Sequence, residues 1–207
     1  ILRPGRKHKP LTLFFIEAVD KVRDLNAPDG RGEYLRIFDD EYKKYISRHT
    51  DMIEEFKEYF PDYRNVQSVR EGYFALDARR NAVEIDGWDS SAEEDNLKLK
   101  AKSREDIDRG ISLILEKKDE LISFEEPLAF IFSHSALREG WDNPNVFTLC
   151  TLKSGGSETA KKQEIGRGLR LPVDIGGNRC LDGRVNELTV IANDHYDHFA
   201  AALQKDF

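Results

Sequence analysis

The sequence predicts an α/β fold: a mostly parallel β-sheet flanked by helices, with a helical and polar insertion. Three observations predict it. Four compact apolar runs, at 11–16, 128–132, 146–152 and 188–191, have the length and flanking residues of buried strands. Stretches with apolar residues at three- and four-residue spacing lie between them, and strands alternating with helices argue for a parallel sheet. The composition is that of a folded chain: 39% hydrophobic residues and 14 glycines among 207, together near the globular norm of about 45–50%.

The elements follow in order. Residues 11–16 (Leu-Thr-Leu-Phe-Phe-Ile) form a compact apolar run after Pro10 and read as a strand. Val19, Val22 and Leu25 at three-residue spacing predict a helix over 17–25, broken by the turn Asn26-Ala-Pro-Asp-Gly30. From 31 to 60, Tyr34, Leu35, Phe38, Tyr42, Tyr45 and Ile46, then Ile53, Phe56, Tyr59 and Phe60, predict two amphipathic helices. Alternation and aromatics make 66–76 strand-like. Residues 77–104, polar and holding Glu93-Glu94-Asp95, read as a flexible acidic stretch within an insertion over about 30–105. Ile107, Ile111, Ile114 and Leu115 predict a helix over 105–122. After the strands at 128–132 and 146–152, a helix is expected around 161–169, then the strand at 188–191 and a closing helix over 194–204.

Charge and cysteine content narrow the function classes. Charged residues make up 34%, against a norm of about 25%, and the net charge of −7 means that any DNA contact comes from a local stripe rather than bulk attraction. No run approaches the roughly 18 apolar residues of a membrane span, and nothing resembles a signal peptide. Cys150 and Cys180 are the only cysteines and form no CxxC pair, so neither a disulfide framework nor a zinc ribbon is expected, and a cytoplasmic setting follows. The chain starts at Ile1 and its one methionine is Met52, from which we expect a fragment of a longer protein.

Two segments carry chemistry. In Gln163-Glu-Ile-Gly-Arg-Gly-Leu-Arg170, helical spacing sets Gln163, Arg167 and Arg170 on one face. Two guanidiniums so arranged make a rigid fork for phosphate oxygens. Gly166 and Gly168 each cost about 1 kcal/mol inside a helix, which close approach of a ligand or a domain would offset. The plainer account is a solvated basic helix end with a glycine cap. The second segment, Ser133-His-Ser-Ala-Leu-Arg-Glu-Gly-Trp-Asp-Asn-Pro144, leaves the carboxyl end of one strand, where ligands bind in open α/β sheets. Gly140 permits a tight turn, Asp142 accepts hydrogen bonds of the kind a sugar hydroxyl donates, and Pro144 stiffens the return. The plainer account is an ordinary loop.

Taken together and in this order, LREGxDxP and QxxGRxxR resemble motifs V and VI of superfamily-2 helicases, in their second RecA-like domain, and 11–16 with the following helix resembles motif IV. Residues 131–147, 163–172 and 188–193, with Gly72-Tyr-Phe74 and Glu120-Leu-Ile-Ser-Phe124, resemble more closely the Res (restriction) subunit of type III restriction-modification enzymes. The resemblance covers nearly the whole chain, 1–207, and is weakest over 77–104. It implies that Arg167 and Arg170 bind the ATP γ-phosphate, with Arg170 the arginine finger, and that Gln163 orients the arginine pair or the attacking water. It implies that Gly140 and Asp142 meet the nucleotide ribose or couple it to DNA, and that Gly166, Arg167 and Arg170 complete this side of the nucleotide site. Ser135 and Arg138 would touch the DNA backbone. Glu164 stands where many superfamily relatives carry an arginine, so a three-arginine arrangement is not carried over.

The phosphate-cradling GxxxxGK[ST] loop is absent from the sequence, and no DExx tetrad with an upstream strand appears. In the family both belong to the first RecA-like domain, which would bind most of the ATP and its Mg²⁺. The chain is therefore expected to hold half of an ATPase site and to be silent alone, its partners being that first domain, double-stranded DNA and a modification (methyltransferase) subunit, with no membrane. No metal ligands are expected in the chain itself.

Rival signals have plainer readings. Pro28-Asp29 with Glu41-Tyr-Lys43 mimics a nuclease signature, but Glu41 and Lys43 fall in a helical pattern. His195 and His198 lack the partners of a metal site. Ser154-Gly-Gly-Ser157 reads as a loop with Ser157 as helix cap. Arg3, Arg6, Lys7, His8 and Lys9 suit either DNA phosphates or a solvated linker. Trp141 suits stacking or burial, and Cys150 packing within its strand. Two other functions stay open: another superfamily-2 motor, since LREGxDxP also resembles the excision-repair helicase subunit, and a non-catalytic DNA-binding or scaffolding module. An upstream phosphate-binding loop would favour a motor, and a reading frame starting near Ile1 a scaffold.

Overall fold

A computed structural model describes residues 8–24, 26–55, 62–76, 82–83, 114, 116–134, 143–153, 161–162 and 165–192. The strands are β1 (Leu11–Phe15), β2 (Arg70–Tyr73), β3 (Ala75–Leu76), β4 (Ala82–Val83), β5 (Phe130–Ser133), β6 (Val146–Thr151) and β7 (Thr189–Ile191). The helices are α1 (Glu33–Arg48), α2 (Thr50–Glu55) and α3 (Lys118–Leu121). Five strands form one sheet in the order β2-β5-β1-β6-β7, every pairing parallel, while β3 and β4 make a separate antiparallel pair. This is the α/β, RecA-like architecture that the sequence predicts.

A parallel sheet is stable only with both faces covered, and the alternation along β1 shows how this chain does it. Leu11, Leu13 and Phe15 point to one face, where Leu13 lies in register with Ile131 and Leu149. These join Leu121 of α3, Ile114, Leu128, Val146 and Ile165 in a buried cluster. Each such side chain contributes about 1.5–3 kcal/mol by leaving water. On the other face Phe14 stacks on Phe132 at 4.6 Å, and Phe38 of α1 meets Phe130 edge-on at 5.0 Å. Lys9, 5% exposed, donates from Nζ to the carbonyls of Leu121 and Glu126. A cation placed at the carboxyl end of α3 satisfies carbonyls that the helix leaves open.

Two expectations change. The helix over 17–25 is one 3₁₀ turn, Val19–Lys21, after which Arg23 bridges antiparallel to Arg31. Val19 and Val22 are buried between the sheet and α1, and the Val22 carbonyl accepts from Gly32 N at 2.9 Å instead of continuing a helix. β-Branched residues resist helix formation little enough to be overruled, and here tertiary burial decides. Within the span expected as an insertion, β2 is hydrogen-bonded to β5 as the sheet edge and α1 covers a sheet face. Residues 33–48 and 70–73 are thus built into the layered fold. Of the acidic stretch expected over 77–104 only 82–83 are described, as β4, and the closing helix at 194–204 and most of 105–122 lie outside the described residues. Among the described residues no helix is long and apolar enough to cross a membrane.

An ion cluster ties these parts together. Asp39 of α1, 1% exposed, receives Arg70 Nε at 2.6 Å, Arg70 Nη2 at 2.8 Å and Arg31 Nη1 at 2.9 Å. Beside it, Gly32 precedes α1 at a place where no side chain fits, since a Cβ would stand 2.1 Å from the Asp20 carbonyl oxygen and 2.3 Å from the Lys21 carbonyl carbon. Those neighbours are backbone, so the loop itself must move. Gly32→Ala is expected to destabilise the chain by about 3 kcal/mol, lowering the melting temperature by roughly 6–12 °C. An unchanged melting curve would show that the loop yields freely.

Candidate functional site

The glycine–arginine segment lies between β6 and β7. Residues 161–162 and 165–166 are helical, residues 167–168 turn, and Gly168 N donates to Ile165 O at 2.9 Å. Ile165, 5% exposed, plugs the helix end into the core. At Gly168 a Cβ would stand 2.4 Å from Leu188 Cδ1, so the backbone lies directly on the residue that leads into β7. Close approach is therefore the use of this glycine, and the neighbour is the chain's own β7 segment. At Gly166 an added Cβ would meet nothing within 4 Å.

This geometry corrects the expectation that Arg167 and Arg170 stand on one helix face. The helix ends before Arg167 can continue it, because Gly166 and Gly168 favour a turn over a further helical repeat. Arg167 is half-buried within the turn, whereas Arg170 is exposed beyond it. Exposed apolar residues flank Arg170 along the chain, Leu169 at 54% and Leu171 at 40%, and Ile175 at 51% and Leu181 at 80% are exposed further along the same segment. Gln163 lies outside the described residues.

After the arginines the chain makes a small hairpin. Val173 bridges antiparallel to Arg179, Asp174 N donates to Asn178 O at 3.0 Å, and Cys180 N donates to Pro172 O at 2.8 Å. The Asp174 carboxylate accepts from Asn178 N and Gly176 N. Those bonds, first that from Asn178 N, with the charge of His8 adding to them, hold its carboxyl below the ordinary range. The hairpin's root is held from the sheet. Asn145 Nδ2 donates to Val173 O and Val173 N donates to Asn145 Oδ1, both at 2.9 Å.

The other candidate segment crosses the molecule. Ser133 ends β5 at the carboxyl edge of the sheet, paired with Phe15, and His134 follows it. Asn143 and Asn145 precede β6 at the amino edge, where Leu11 N donates to Asn145 O at 2.8 Å. The segment thus starts at the carboxyl edge and ends at the amino edge, because the next strand is parallel and the chain must return to begin it. Ser135, Arg138, Gly140, Trp141 and Asp142 lie outside the described residues, as do Ser154, Ser157, His195 and His198. The buried atoms Ser133 Oγ and Asn143 Nδ2, one on each side of that segment, have no hydrogen-bond partner among the described residues.

The nuclease-like residues do not converge. Glu41 sits on α1 and pairs with Lys44 at 2.7 Å, while Asp29 pairs with Arg31 and Arg36. Among the described residues no three histidine, cysteine or carboxylate side chains gather as metal ligands. Cys150 is buried, and burial pushes its thiol up.

No family model matches the chain. It is 40% identical over 172 residues to the Res subunit of the type III restriction-modification enzyme EcoP15I from Escherichia coli, and 39% over 171 residues to the EcoPI Res subunit from Escherichia phage P1. Each match covers 80% of this chain. The StyLTI Res subunit of Salmonella typhimurium is 34% identical over 185 residues, 83% of this chain. The chain belongs to the type III Res subunit family. It spans 15–16% of the length of these relatives.

Sequence reading of this Res-family chain missed Asn143 and Asn145. Both are at most 1% exposed, and Asn143 Oδ1 accepts from Asn145 N at 2.9 Å. The signal was present as two asparagines flanking Pro144 at the entrance to an apolar strand, where a buried amide needs partners.

Proposed function

We propose that this chain is the second motor domain of a type III restriction enzyme's Res subunit and supplies one side of an interdomain ATPase site. The observation that carries the reading is the exposed Arg170, presented just beyond a buried glycine turn and flanked along the chain by exposed Leu169 and Leu171. A guanidinium between exposed leucines suits a surface that another domain covers, since facing protein lowers the local dielectric and strengthens the charge.

The donor set suits a polyphosphate: one exposed and one half-buried guanidinium, with open space beside Gly166. Arg170 acts as the arginine finger and Arg167 holds the phosphate end from behind it, with Gln163 orienting them. Gly140 and Asp142 face the ribose, and Gly166 leaves room for the nucleotide. Ser135 and Arg138 lie on the DNA backbone. ATP supplies the phosphoryl group whose transfer drives work on duplex DNA, while Mg²⁺ and most of the nucleotide are held by the first RecA-like domain. A modification methyltransferase subunit selects the site, and the enzyme works in the cytoplasm.

ATP turnover with and without duplex DNA tests this, measured on the isolated chain and on the complete Res–modification enzyme. The isolated chain is expected to be silent and the complete enzyme active. Turnover by the isolated chain would overturn the half-site reading.

A further inference from the structure

We propose that Asn145 is a positioning residue for the arginine turn, fixing where Arg167 and Arg170 stand relative to the sheet. This rests on the reading of those arginines as phosphate ligands.

Asn145 uses its amide as a substitute peptide group. It offers one donor and one acceptor to the Val173 backbone, both bonds at 2.9 Å, and so adds a strand-like pairing where the sheet has none. Its own backbone is fixed twice, by Asn143 Oδ1 on its N–H and by Leu11 N on its carbonyl. The node is therefore anchored to the central strand. From it, through Val173, Arg170 lies three residues back along the chain.

The arginine turn needs such a brace. Gly168 on Leu188 holds its first part, and residues 169–171 beyond it are exposed. Three residues after Arg170, the Val173 backbone is gripped by the Asn145 side chain from the turn that leads into β6. Burial adds to the strength of the grip: Asn145 is 1% exposed, and bonds shielded from water lose little to competing solvent. Asparagine is the residue type for this task, since aspartate offers no donor to the Val173 carbonyl and leucine of similar size offers neither group.

The test is a double-mutant cycle on DNA-dependent ATP turnover by the complete enzyme, using Asn145→Ala and Arg170→Lys. The lysine variant keeps a charge and a measurable rate but loses the guanidinium fork. Asn145→Ala is expected to lower kcat by about 10²-fold, the effect of roughly 1 Å of misplacement, with the KM for ATP and DNA affinity within about twofold of wild type. In the Arg170→Lys background the same change should cost far less, because the fork it positions is already gone. Full multiplication of the two losses, or a fall in DNA affinity matching the fall in kcat, would mean a general structural role and overturn the proposal. Wild-type turnover in Asn145→Ala with Arg170→Lys impaired would also overturn it while leaving the arginine reading intact. Wild-type turnover in Arg170→Lys and in Arg170→Ala would instead overturn that underlying reading. If Asn145→Ala does not fold, Asn145→Asp carries the cycle, since it keeps an acceptor for Val173 N while a carboxylate oxygen replaces the donor to the Val173 carbonyl.

Discussion

Arg170→Ala is expected to lower ATP turnover of the complete enzyme by about 10³–10⁵-fold, the range over which an arginine finger acts where one has been removed. Folding should be nearly untouched. The side chain is exposed and stands beyond the helix end, and surface substitutions of this kind change stability by about 0.5 kcal/mol or less, a melting shift of roughly 1–2 °C. The separation of the two effects is the informative part. A residue that supports the domain loses activity through loss of folded protein, whereas a finger loses it at constant fold. Arg170→Lys should recover only a small part of the rate, because an ammonium supplies charge without the planar pair of donors. Arg167 differs in kind: half-buried in the turn, its removal should cost stability as well as turnover. Turnover of Arg170→Ala within a few-fold of wild type, at unchanged melting temperature, would remove Arg170 from the chemistry.

Most of the strands legible in the sequence were those covered on both faces. β1, β5 and β6 read as short apolar runs because a covered parallel strand needs apolar residues at nearly every position, whereas β7, an exposed edge strand, was legible from its β-branched Thr189-Val190-Ile191. α1 was legible from its spacing for the opposite reason, having one face on Phe14 and Phe130 and the other in water. What failed depends on partners distant in the chain. Val19 and Val22 have helical spacing, but their burial against Phe132 and Leu35 selects a tight turn instead. β2 is an edge strand whose partner lies about 60 positions away, so no local pattern announces that 70–73 enter the main sheet. The motif identified the arginine segment but not its shape, since helical spacing says nothing of where two glycines end the helix. Asn145 was hidden because its meaning is in Val173, 28 residues on.

The second large effect is expected at Asp39. Asp39→Ala should destabilise the chain by about 3–5 kcal/mol, because it leaves a buried cation without its counter-charge. Arg70 bears that loss. Its side chain is 10% exposed, and among the described residues Asp39 is its ion-pair partner, whereas Arg31 keeps Asp29 at 2.9 Å. The damage should be mechanical too, since the cluster fastens α1 to the edge strand β2 and to the loop before α1. Burial alone would raise the Asp39 carboxyl, but the hydrogen bonds and charge of Arg70, with those of Arg31, outweigh it and hold the group below its ordinary value. The sign of the pH dependence follows. A carboxyl depressed in the folded state stabilises fully above its unfolded pKa of about 3.9, and that contribution disappears as pH falls through the folded value. Wild-type stability should therefore drop below about pH 4 more steeply than that of Asp39→Asn, which cannot titrate there. At neutral pH the asparagine variant should lie between wild type and Asp39→Ala, as its carbonyl still accepts from Arg70. Urea unfolding at pH 7 and at about pH 3 would measure all three. Equal stability of wild type and Asp39→Ala at pH 7 would show that water, rather than Asp39, satisfies Arg70, and that α1 is held by its aromatic face alone.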